Sequence, residues 1–262
     1  KSKHLPYRDI QMRFKTQFPN FITLVNLFFG FLSILNSYIA NYSLACYFIL
    51  LAAVLDSLDG KIARLFGVST EFGKELDSLA DLVSFCLAPS VLVYILYSQN
   101  MPGISGELIA AAPLLLGVIR LAHYNISENE NISYFKGLPT TFNAIFICSL
   151  ILYIENIKTI APEYSQPRFL LPIIVSSSFL MISRIKYPKF PLINFHSGKS
   201  NSIGLVIIIS ILFLFLISIL FNQEETIFIL FSSGLIILGL FNHLFINEKI
   251  HLNFVKKFIK RN

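Results

Sequence analysis

Long apolar runs follow one another along almost the whole chain. A run of about 18 apolar residues without charge indicates a membrane-spanning helix rather than a buried core segment. Cutting these runs at polar residues, glycines and prolines predicts eight spans. Their approximate limits are 20–40, 43–66, 73–97, 105–125, 138–155, 168–186, 202–221 and 226–246. The pattern therefore predicts an all-α integral membrane protein, a bundle of about eight transmembrane helices.

The composition agrees with this prediction. The 262 residues are 55% hydrophobic and 14% charged, whereas soluble domains carry about 25% charged residues. A water-soluble globular enzyme and a disordered chain are therefore excluded, and the three cysteines, all in apolar stretches, are interpreted as packing residues. We expect a single membrane domain over 1–262, with a core at 20–190, two additional helices within 200–246 and a basic tail at 249–262.

The positive charges are distributed unevenly between the two sides of the predicted bundle. An even number of spans puts both termini on one side, and 19 of the 21 Lys and Arg residues then fall on that side. Only Lys158 and Arg168 fall on the other. Because cytoplasmic loops are enriched in Lys and Arg, both termini are expected in the cytoplasm. The net positive charge then indicates topology and contact with anionic membrane lipid, with no nucleic acid as partner.

Four of the fifteen acidic residues cluster in one short stretch of this apolar sequence. Asp56 and Asp59 are three residues apart, and Asp77 and Asp81 are four apart, so each pair lies on one face of its helix. An aspartate within a spanning helix costs about 2.5–3.5 kcal/mol, so four together require cations or a wet cavity. Oxygen ligands without clustered His or Cys favour Mg²⁺ or Mn²⁺. Two such ions would clamp a pyrophosphate in the cytoplasmic third of the bilayer.

Small residues beside the aspartates indicate a substrate surface. Gly60 costs about 1 kcal/mol relative to Ala inside a helix, and with Ala63 one turn later it opens a flat trough for a base or a sugar. Gly73 lets the intervening loop close on the next helix, and Arg64 is by type a bidentate phosphate donor. A purely structural cluster, neutralised by neighbouring Lys and Arg, would leave the glycines unexplained and would seldom repay its desolvation.

The order of these residues resembles the motif of the CDP-alcohol phosphotransferases, D-x2-D-G-x2-A-R-x8-G-x3-D-x3-D, and every fixed position is present. The resemblance implies that Asp56, Asp59, Asp77 and Asp81 hold divalent metal, and that Asp81 is also the general base toward the acceptor alcohol. It implies a homodimer, because several members of the family are dimeric. It further implies contacts to CDP-diacylglycerol from Asn20, Thr23, Gly60, Ala63, Arg64, Thr70 and Gly73.

Segments outside the motif look like the bacterial and archaeal phosphatidylserine synthases of this family. The resemblance covers 20 to about 190 and departs at His123, where an arginine is expected. It implies L-serine as the acceptor and a multi-pass protein of a prokaryotic cell membrane with its active site facing the cytoplasm. The matching segments are NFITLVNLFFG at 20–30, LDSLADLVSFCLAP at 76–89, RLAHYN at 120–125, YFKGLP at 134–139 and SRIKYPKF at 183–190.

Serine requires a cation for its carboxylate and an acceptor for its ammonium group, and the inner ends of spans four to six offer candidates. Arg120 falls within span four, where an unpaired cation is costly, so it is expected to face the cavity. Lys136 and Arg184 lie at span ends, where snorkelling is the alternative. Asn125 and Asn143 are further polar candidates. The predicted serine-binding set is Arg120, Asn125, Lys136 and Arg184.

Four alternatives stay open at this stage. The family motif is shared by enzymes that use glycerol 3-phosphate, inositol phosphate or choline in place of serine. A membrane prenyltransferase also uses helix-borne aspartates with Mg²⁺, but a second aspartate-rich motif is missing from this sequence. A cation-coupled transporter would have inverted repeats, which the sequence lacks. A catalytically silent lipid-binding member of the family is the last alternative.

Overall fold

A computed structural model describes residues 7–66, 70–127, 134–158, 160–188 and 224–259. Side chains are described for these residues except at 7–16, 63–66, 164–165, 224, 242 and 244–259. Within these ranges the chain forms a short 3₁₀-helix, Pro162–Ser165, and the helices α1 (Tyr7–Tyr38), α2 (Tyr42–Phe66), α3 (Glu71–Asp81), α4 (Ala88–Val93), α5 (Ser105–Ala110), α6 (Ala112–Ser127), α7 (Thr140–Ile157), α8 (Pro167–Met181) and α9 (Glu224–Ile259).

Five helical stretches of the described chain are long and apolar enough to cross a membrane. They are Gln17–Tyr38, Tyr42–Ile62, Glu71–Ser98, Ser105–Ile126 and Thr140–Ile157. Two further apolar stretches with described side chains are shorter, namely α8 at Pro167–Met181 and the first part of α9 at Glu225–Phe241. The predicted span 202–221 lies outside the described residues. The helical, membrane-spanning character of the protein is therefore confirmed, whereas the number of eight spans and the side of the termini stay predictions.

Helix α1 carries its small and polar residues inward and its large apolar residues outward. Phe21, Phe28 and Phe31 are each at least 50% exposed. This distribution suits a helix with lipid on one side, because small and polar residues let neighbouring helices approach closely and hydrogen-bond. The buried face consists of Thr23, Asn26, Gly30, Ser33 and Ser37.

A tight turn reverses the chain between α1 and α2. Ala40 adopts the left-handed conformation, with φ of 61°. The Asn41 N–H donates to the Asn36 carbonyl over 2.9 Å, and the Ala40 N–H donates to the Ser37 carbonyl over 3.2 Å. These two bonds are those of a Schellman cap, which satisfies the last carbonyls of α1. Because the turn is so short, α2 runs back along α1.

The third candidate span is one continuous helix that contains two π-helical segments. Between α3 and α4 the segment Leu82–Leu87 is π-helical, and after α4 the segment Tyr94–Ser98 is π-helical as well. Such segments are rare and often lie at functional sites. The first one begins directly after Asp81. Within it, the Ser84 hydroxyl donates to the backbone carbonyl of Asn26 over 3.1 Å, which joins this section to α1.

A two-stranded antiparallel sheet corrects the all-α prediction. Strand β1 (Tyr134–Lys136) pairs with β2 (Lys186–Pro188), and Phe135 lies opposite Tyr187. The predicted sixth span, 168–186, accordingly ends as a helix at Met181. The sequence could not predict these strands, because three residues show no periodicity and the partners are about fifty positions apart in the chain.

The core consists of two groups of buried side chains. The larger group lies among α2, α4, α7 and α8, and its centre includes Ile49, Leu92, Ile147 and Ile174. The smaller group joins α9 to the sheet and consists of Leu138, Phe146, Met181, Tyr187 and Ile236. All three cysteines are buried and form no disulfide, which agrees with their interpretation as packing residues.

We expect the close contact between α1 and the first π-helical segment to be sensitive to added volume. A Cβ atom at Gly30 would lie 2.5 Å from the Ser84 Oγ and 2.8 Å from its Cα, so the two backbones would have to separate. Gly30→Ala should therefore destabilise the protein by about 1–3 kcal/mol, measured as a lower melting temperature in detergent.

Gly234→Ala is the matched control for that variant. Nothing lies within 4 Å of a Cβ atom at Gly234, and alanine is about 1 kcal/mol better than glycine inside a helix. Its melting temperature should equal or exceed that of the wild type. Equal melting temperatures for the two variants would show that the contact at Gly30 does not limit stability.

Candidate active site

Two pairs of aspartates meet where α2 and α3 lie side by side. Asp56 and Asp59 belong to the second half of α2, and Asp77 and Asp81 to the second half of α3. One carboxylate oxygen from each of Asp56, Asp59 and Asp77 lies within 4.8 Å of the other two. The structure thus brings three of the four predicted metal ligands to a common point.

Asp81 adjoins this group through Asp56. The Asp56 side chain interacts with those of Asp81 and Thr141. The Asp81 Oδ1 atom is buried and has no hydrogen-bond partner among the described residues. Asp56, Asp59, Asp77 and Asp81 are called the acid cluster below.

The acid cluster fits a divalent cation. Its donors are carboxylate oxygens, which hard cations such as Mg²⁺ and Mn²⁺ prefer. A buried carboxylate oxygen without a partner is costly unless another group satisfies it, and the Asp81 Oδ1 is such an atom. The number, closeness and burial of the donors therefore agree with metal binding.

Helix α1 supports the acid cluster through Thr23. Its Oγ1 donates to the Asp59 Oδ2 over 2.9 Å and also lies 3.2 Å from the Pro19 carbonyl. The Thr23 side chain is only 4% exposed. The structure therefore shows Thr23 in contact with Asp59, and the contact to CDP-diacylglycerol that the family resemblance implies for it stays a prediction.

The N-terminus of α3 gathers three of the predicted substrate-binding residues. Thr70 caps the helix, and its Oγ1 accepts a hydrogen bond from the Gly73 N–H over 3.0 Å. A Cβ atom at Gly73 would lie 3.0 Å from the Asn20 Oδ1, so α1 approaches this turn closely. We call Asn20, Thr70 and Gly73 the cap group. The partial positive charge of a helix N-terminus favours a phosphate at such a place.

The remaining motif residues lie at the end of α2. Gly60 directly follows Asp59 and is exposed, and its backbone interacts with the Asp59 carboxylate. Ala63 and Arg64 belong to the last turn of α2, and their side chains are outside the described part. The predicted trough at Gly60 and Ala63 and the phosphate contact of Arg64 therefore stay predictions.

Arg120 lies inside the bundle beside the acid cluster. Its Nη1 donates to the Thr140 Oγ1 over 3.2 Å, and its guanidinium carbon lies 5.7 Å from the centre of the Tyr124 ring. It interacts electrostatically with Asp56 and Asp81. Its Nε is buried and has no hydrogen-bond partner among the described residues. The structure thus places a cation next to the carboxylates, and its Nε–H is available to donate a hydrogen bond.

The other predicted serine-binding residues lie in two different places. Asn125 of α6 and Ser78 of α3 exchange hydrogen bonds of 3.0 and 3.2 Å. Because Ser78 directly follows Asp77, these bonds hold α6 against α3 beside the acid cluster. Lys136 belongs to β1, and Arg184 lies just before β2. Both side chains are exposed. The structure therefore separates the exposed cations at the sheet from Arg120 inside the bundle.

Sequence reasoning missed two polar residues of the interior. Thr141 contacts Asp56, and Asn26 lies one turn after Thr23 with neither atom of its amide group paired among the described residues. Asn143, named only as a further candidate, is buried and donates weakly to Ser178 over 3.4 Å. Their position within predicted spans could have revealed them, because polar residues in a membrane-spanning helix usually face the bundle interior.

The comparisons with known proteins agree on one family. The profile of the CDP-alcohol phosphatidyltransferases matches residues 16–175. A Helicobacter pylori protein named CDP-diacylglycerol–serine O-phosphatidyltransferase is 33% identical over 237 residues, which cover 90% of this chain and 94% of that protein. A Bacillus subtilis protein of the same name is 35% identical over 187 residues, 70% of this chain and 98% of its own length.

An archaeal relative carries a different name. The archaetidylserine synthase of Methanothermobacter thermautotrophicus is 35% identical over 175 residues, which cover 65% of this chain and 69% of that protein. The family profile matches more than half of the chain and includes the whole acid cluster, the cap group and Arg120. On this basis the protein belongs to the CDP-alcohol phosphatidyltransferase family.

Proposed function

We propose that the protein transfers the phosphatidyl group of CDP-diacylglycerol to the hydroxyl group of L-serine, which yields phosphatidylserine and CMP. The observation that carries this proposal is the convergence of three carboxylate oxygens within 4.8 Å in a membrane bundle, beside a half-buried arginine. The names of the bacterial and archaeal relatives both contain serine and differ in the lipid. Serine is therefore the acceptor that these relatives support.

The acid cluster is proposed to hold the metal of the reaction. Asp56, Asp59 and Asp77 supply the close oxygens, and Asp81 supplies the adjoining one. When bound, two Mg²⁺ or Mn²⁺ ions would neutralise the pyrophosphate of the lipid and the charge that develops on the leaving CMP. Thr23 would keep the Asp59 carboxylate in its binding orientation, as hydrogen bonds to metal ligands commonly do.

Asp81 is proposed to remove the proton from the serine hydroxyl. The serine oxygen then forms a bond to the lipid-side phosphorus, the bond from that phosphorus to the bridging oxygen breaks, and CMP departs with the bond electrons. Asp81 suits this role because its Oδ1 is buried and lacks a partner among the described residues. The cap group would bind the CDP part of the substrate, together with Gly60, Ala63 and Arg64.

Arg120 is proposed to bind the serine carboxylate. It is a half-buried cation within electrostatic range of Asp81, and its buried Nε–H can donate a hydrogen bond. An arginine is suited to bind a carboxylate through two parallel hydrogen bonds. Asn125, Lys136 and Arg184 are proposed to complete the acceptor path from the exposed side of the bundle.

The catalytic core is proposed to occupy 20–190, with the active site facing the cytoplasm of a prokaryotic cell. The Bacillus subtilis relative aligns over 98% of its own length with only 70% of this chain. The other part of this chain therefore has no counterpart in that relative. The Helicobacter pylori relative aligns with 90% of the chain, a stretch that necessarily includes 202–221. The C-terminal helices would then be additions to the core. We also propose a homodimer, on family resemblance.

The reaction can be measured as CMP release from CDP-diacylglycerol by purified protein in detergent with Mn²⁺ or Mg²⁺. Asp81→Asn should lower this rate by about 10²–10⁴-fold, because the amide keeps the shape of the side chain but cannot accept the proton. Glu107→Gln, an exposed change on α5, should leave the rate unchanged. Full activity of Asp81→Asn would exclude Asp81 as the base.

The same assay tests the acceptor. Serine, glycerol 3-phosphate, inositol phosphate and choline are each added alone, and only serine should drive CMP release. Release with one of the other alcohols would overturn the serine assignment but leave the family and the metal site in place. Arg120→Gln should raise the KM for serine by about tenfold or more and leave the KM for CDP-diacylglycerol nearly unchanged, since a carboxylate partner is lost.

His123→Gln is the matched control for Arg120→Gln. It lies one turn along the same helix and is exposed, and it should leave both KM values nearly unchanged. If Arg120→Gln raises the KM of both substrates equally, the arginine supports the fold of the site and does not select the acceptor.

Thr23→Val tests the support that α1 gives to the metal site. Valine keeps the shape of threonine but cannot donate to the Asp59 Oδ2. The Mn²⁺ concentration for half-maximal activity should rise about 10–100-fold, as is typical when a hydrogen bond to a metal ligand is lost. Thr23→Ser keeps the hydroxyl and should restore most of the affinity. An unchanged Mn²⁺ requirement in Thr23→Val would contradict this role.

A further inference from the structure

Asn26 is a buried polar residue of α1 to which the proposed reaction assigns no role. Its side chain is 0% exposed, and neither its Nδ2 nor its Oδ1 has a hydrogen-bond partner among the described residues. Buried side-chain amides are nearly always hydrogen-bonded, because burial without a partner removes the bonds to water and puts nothing in their place. The surroundings of Asn26 show which group its amide can serve.

The direction of Asn26 follows from its neighbours on the buried face of α1. Thr23 bonds to Asp59 of α2, and Gly30 lies against Ser84 of the third span. At 3.6 residues per turn, Gly30 lies between Thr23 and Asn26 in a projection along the helix axis. Asn26 is therefore turned away from α2 and toward the third span. The Ser84 hydroxyl, which donates to the Asn26 carbonyl over 3.1 Å, lies on this side.

Two close contacts set the register between α1 and the third span. A Cβ atom at Gly73 would lie 3.0 Å from the Asn20 Oδ1, and a Cβ atom at Gly30 would lie 2.8 Å from the Ser84 Cα. Residues ten positions apart on α1 therefore meet residues eleven positions apart on the third span, so the two helices run parallel. Asn26 lies between these two contacts.

This register places Asn26 beside the acid cluster. Interpolation between the two contacts puts it level with positions 79–80, between Asp77 and Asp81. Helical side chains lean toward the helix N-terminus, so the amide of Asn26 lies nearer the level of Asp77. An ionised carboxylate can accept about four hydrogen bonds, and the Nδ2 of an asparagine carries two donors. The side toward which Asn26 is turned thus offers a charged acceptor.

We propose that Asn26 is a positioning residue of the metal site, whose Nδ2 donates to the Asp77 carboxylate when the acid cluster holds a cation. Thr23 donates to Asp59 of α2, so α1 would orient one metal ligand from each of the two helices. Hydrogen bonds to metal ligands fix their orientation and raise the affinity for the metal. The inference rests on the proposed metal role of the acid cluster and does not depend on the identity of the acceptor alcohol.

Binding of Mn²⁺ to the purified protein in detergent, without substrate, tests the proposal. Electron paramagnetic resonance measures the Mn²⁺ that stays free. Asn26→Leu keeps the branching of the side chain at Cγ but has no donor, so it should weaken Mn²⁺ binding by about 10–100-fold, as is typical when a hydrogen bond to a metal ligand is lost. Its melting temperature without metal should equal or exceed that of the wild type, because the variant removes two buried polar atoms that lack partners.

Ser33→Ala is the matched control. Ser33 lies on the same buried face of α1, about two turns beyond Asn26, and its Oγ is buried without a partner among the described residues. This variant also removes an unpaired polar atom, but it should leave Mn²⁺ binding unchanged. Asn26→Ala removes the amide without adding volume, and it should weaken Mn²⁺ binding even if the leucine variant fails to fold.

Double variants assign the effect to Asp77. In an Asp77→Asn background, Asn26→Leu should add little further loss of Mn²⁺ binding, because the charged partner of the amide is already gone. In an Asp59→Asn background it should keep its full effect, because Asp59 has its own donor in Thr23. Equal losses in both backgrounds would overturn the assignment to Asp77, and a direct bond from Asn26 to the cation would give that result.

The test separates this proposal from the proposed transferase function. Unchanged Mn²⁺ binding in the Asn26 variants would overturn the positioning role, even if the wild type binds Mn²⁺ and releases CMP with serine. Weakened Mn²⁺ binding in a protein that releases no CMP with serine would uphold the positioning role while the transferase function fails. A wild type that binds no Mn²⁺ would overturn the metal site and the positioning role together.

Discussion

The rest of the structure depends on the placement of four carboxylates inside an apolar bundle. Two charges 4.8 Å apart repel each other by about 3.5 kcal/mol at an effective dielectric constant of about 20. The summed repulsion of three such pairs is as large as the net stability of an ordinary domain, which is about 5–15 kcal/mol. Arg120 offsets part of this repulsion, and the cation proposed to bind here would offset the rest. This requirement explains why polar residues of α1, α6 and α7 turn toward α2 and α3, while large apolar residues face outward.

Close approach between helices is what lets these polar residues reach each other. Gly30 brings α1 against Ser84, one turn beyond Asp81, and Gly117 brings α6 against Cys86 in the same π-helical segment. Larger residues at either glycine would separate the helices by more than a hydrogen bond tolerates. These two glycines therefore hold α1 and α6 against the same section of the third span, next to Asp81. In a membrane bundle, where lipid tails are as apolar as the side chains, such packing is a main source of helix association.

The sequence predicts the acid cluster well because its information is local. Residues three or four positions apart share a helix face, and a short loop makes the two helices neighbours. The bond from Thr23 to Asp59 joins positions 36 residues apart, and no periodicity reveals it. The inward position of Arg120 follows from the cost of a lipid-facing cation, whereas Lys136 lies in a strand, and Arg184 just before one, that are too short to predict. The span at 202–221 is predicted by hydropathy alone, outside the described residues.

The C-terminal helix α9 packs against both the core and the two-stranded sheet. Helix α9 contacts α7 through hydroxyl groups of Ser149 and Ser232 that are 2.6 Å apart, and Gly239 lies directly against the Tyr187 ring. Tyr187 belongs to β2, which pairs with the strand that carries Lys136. Helix α9 thus supports the sheet and, with it, Lys136, whereas the four residues of the acid cluster belong to α2 and α3.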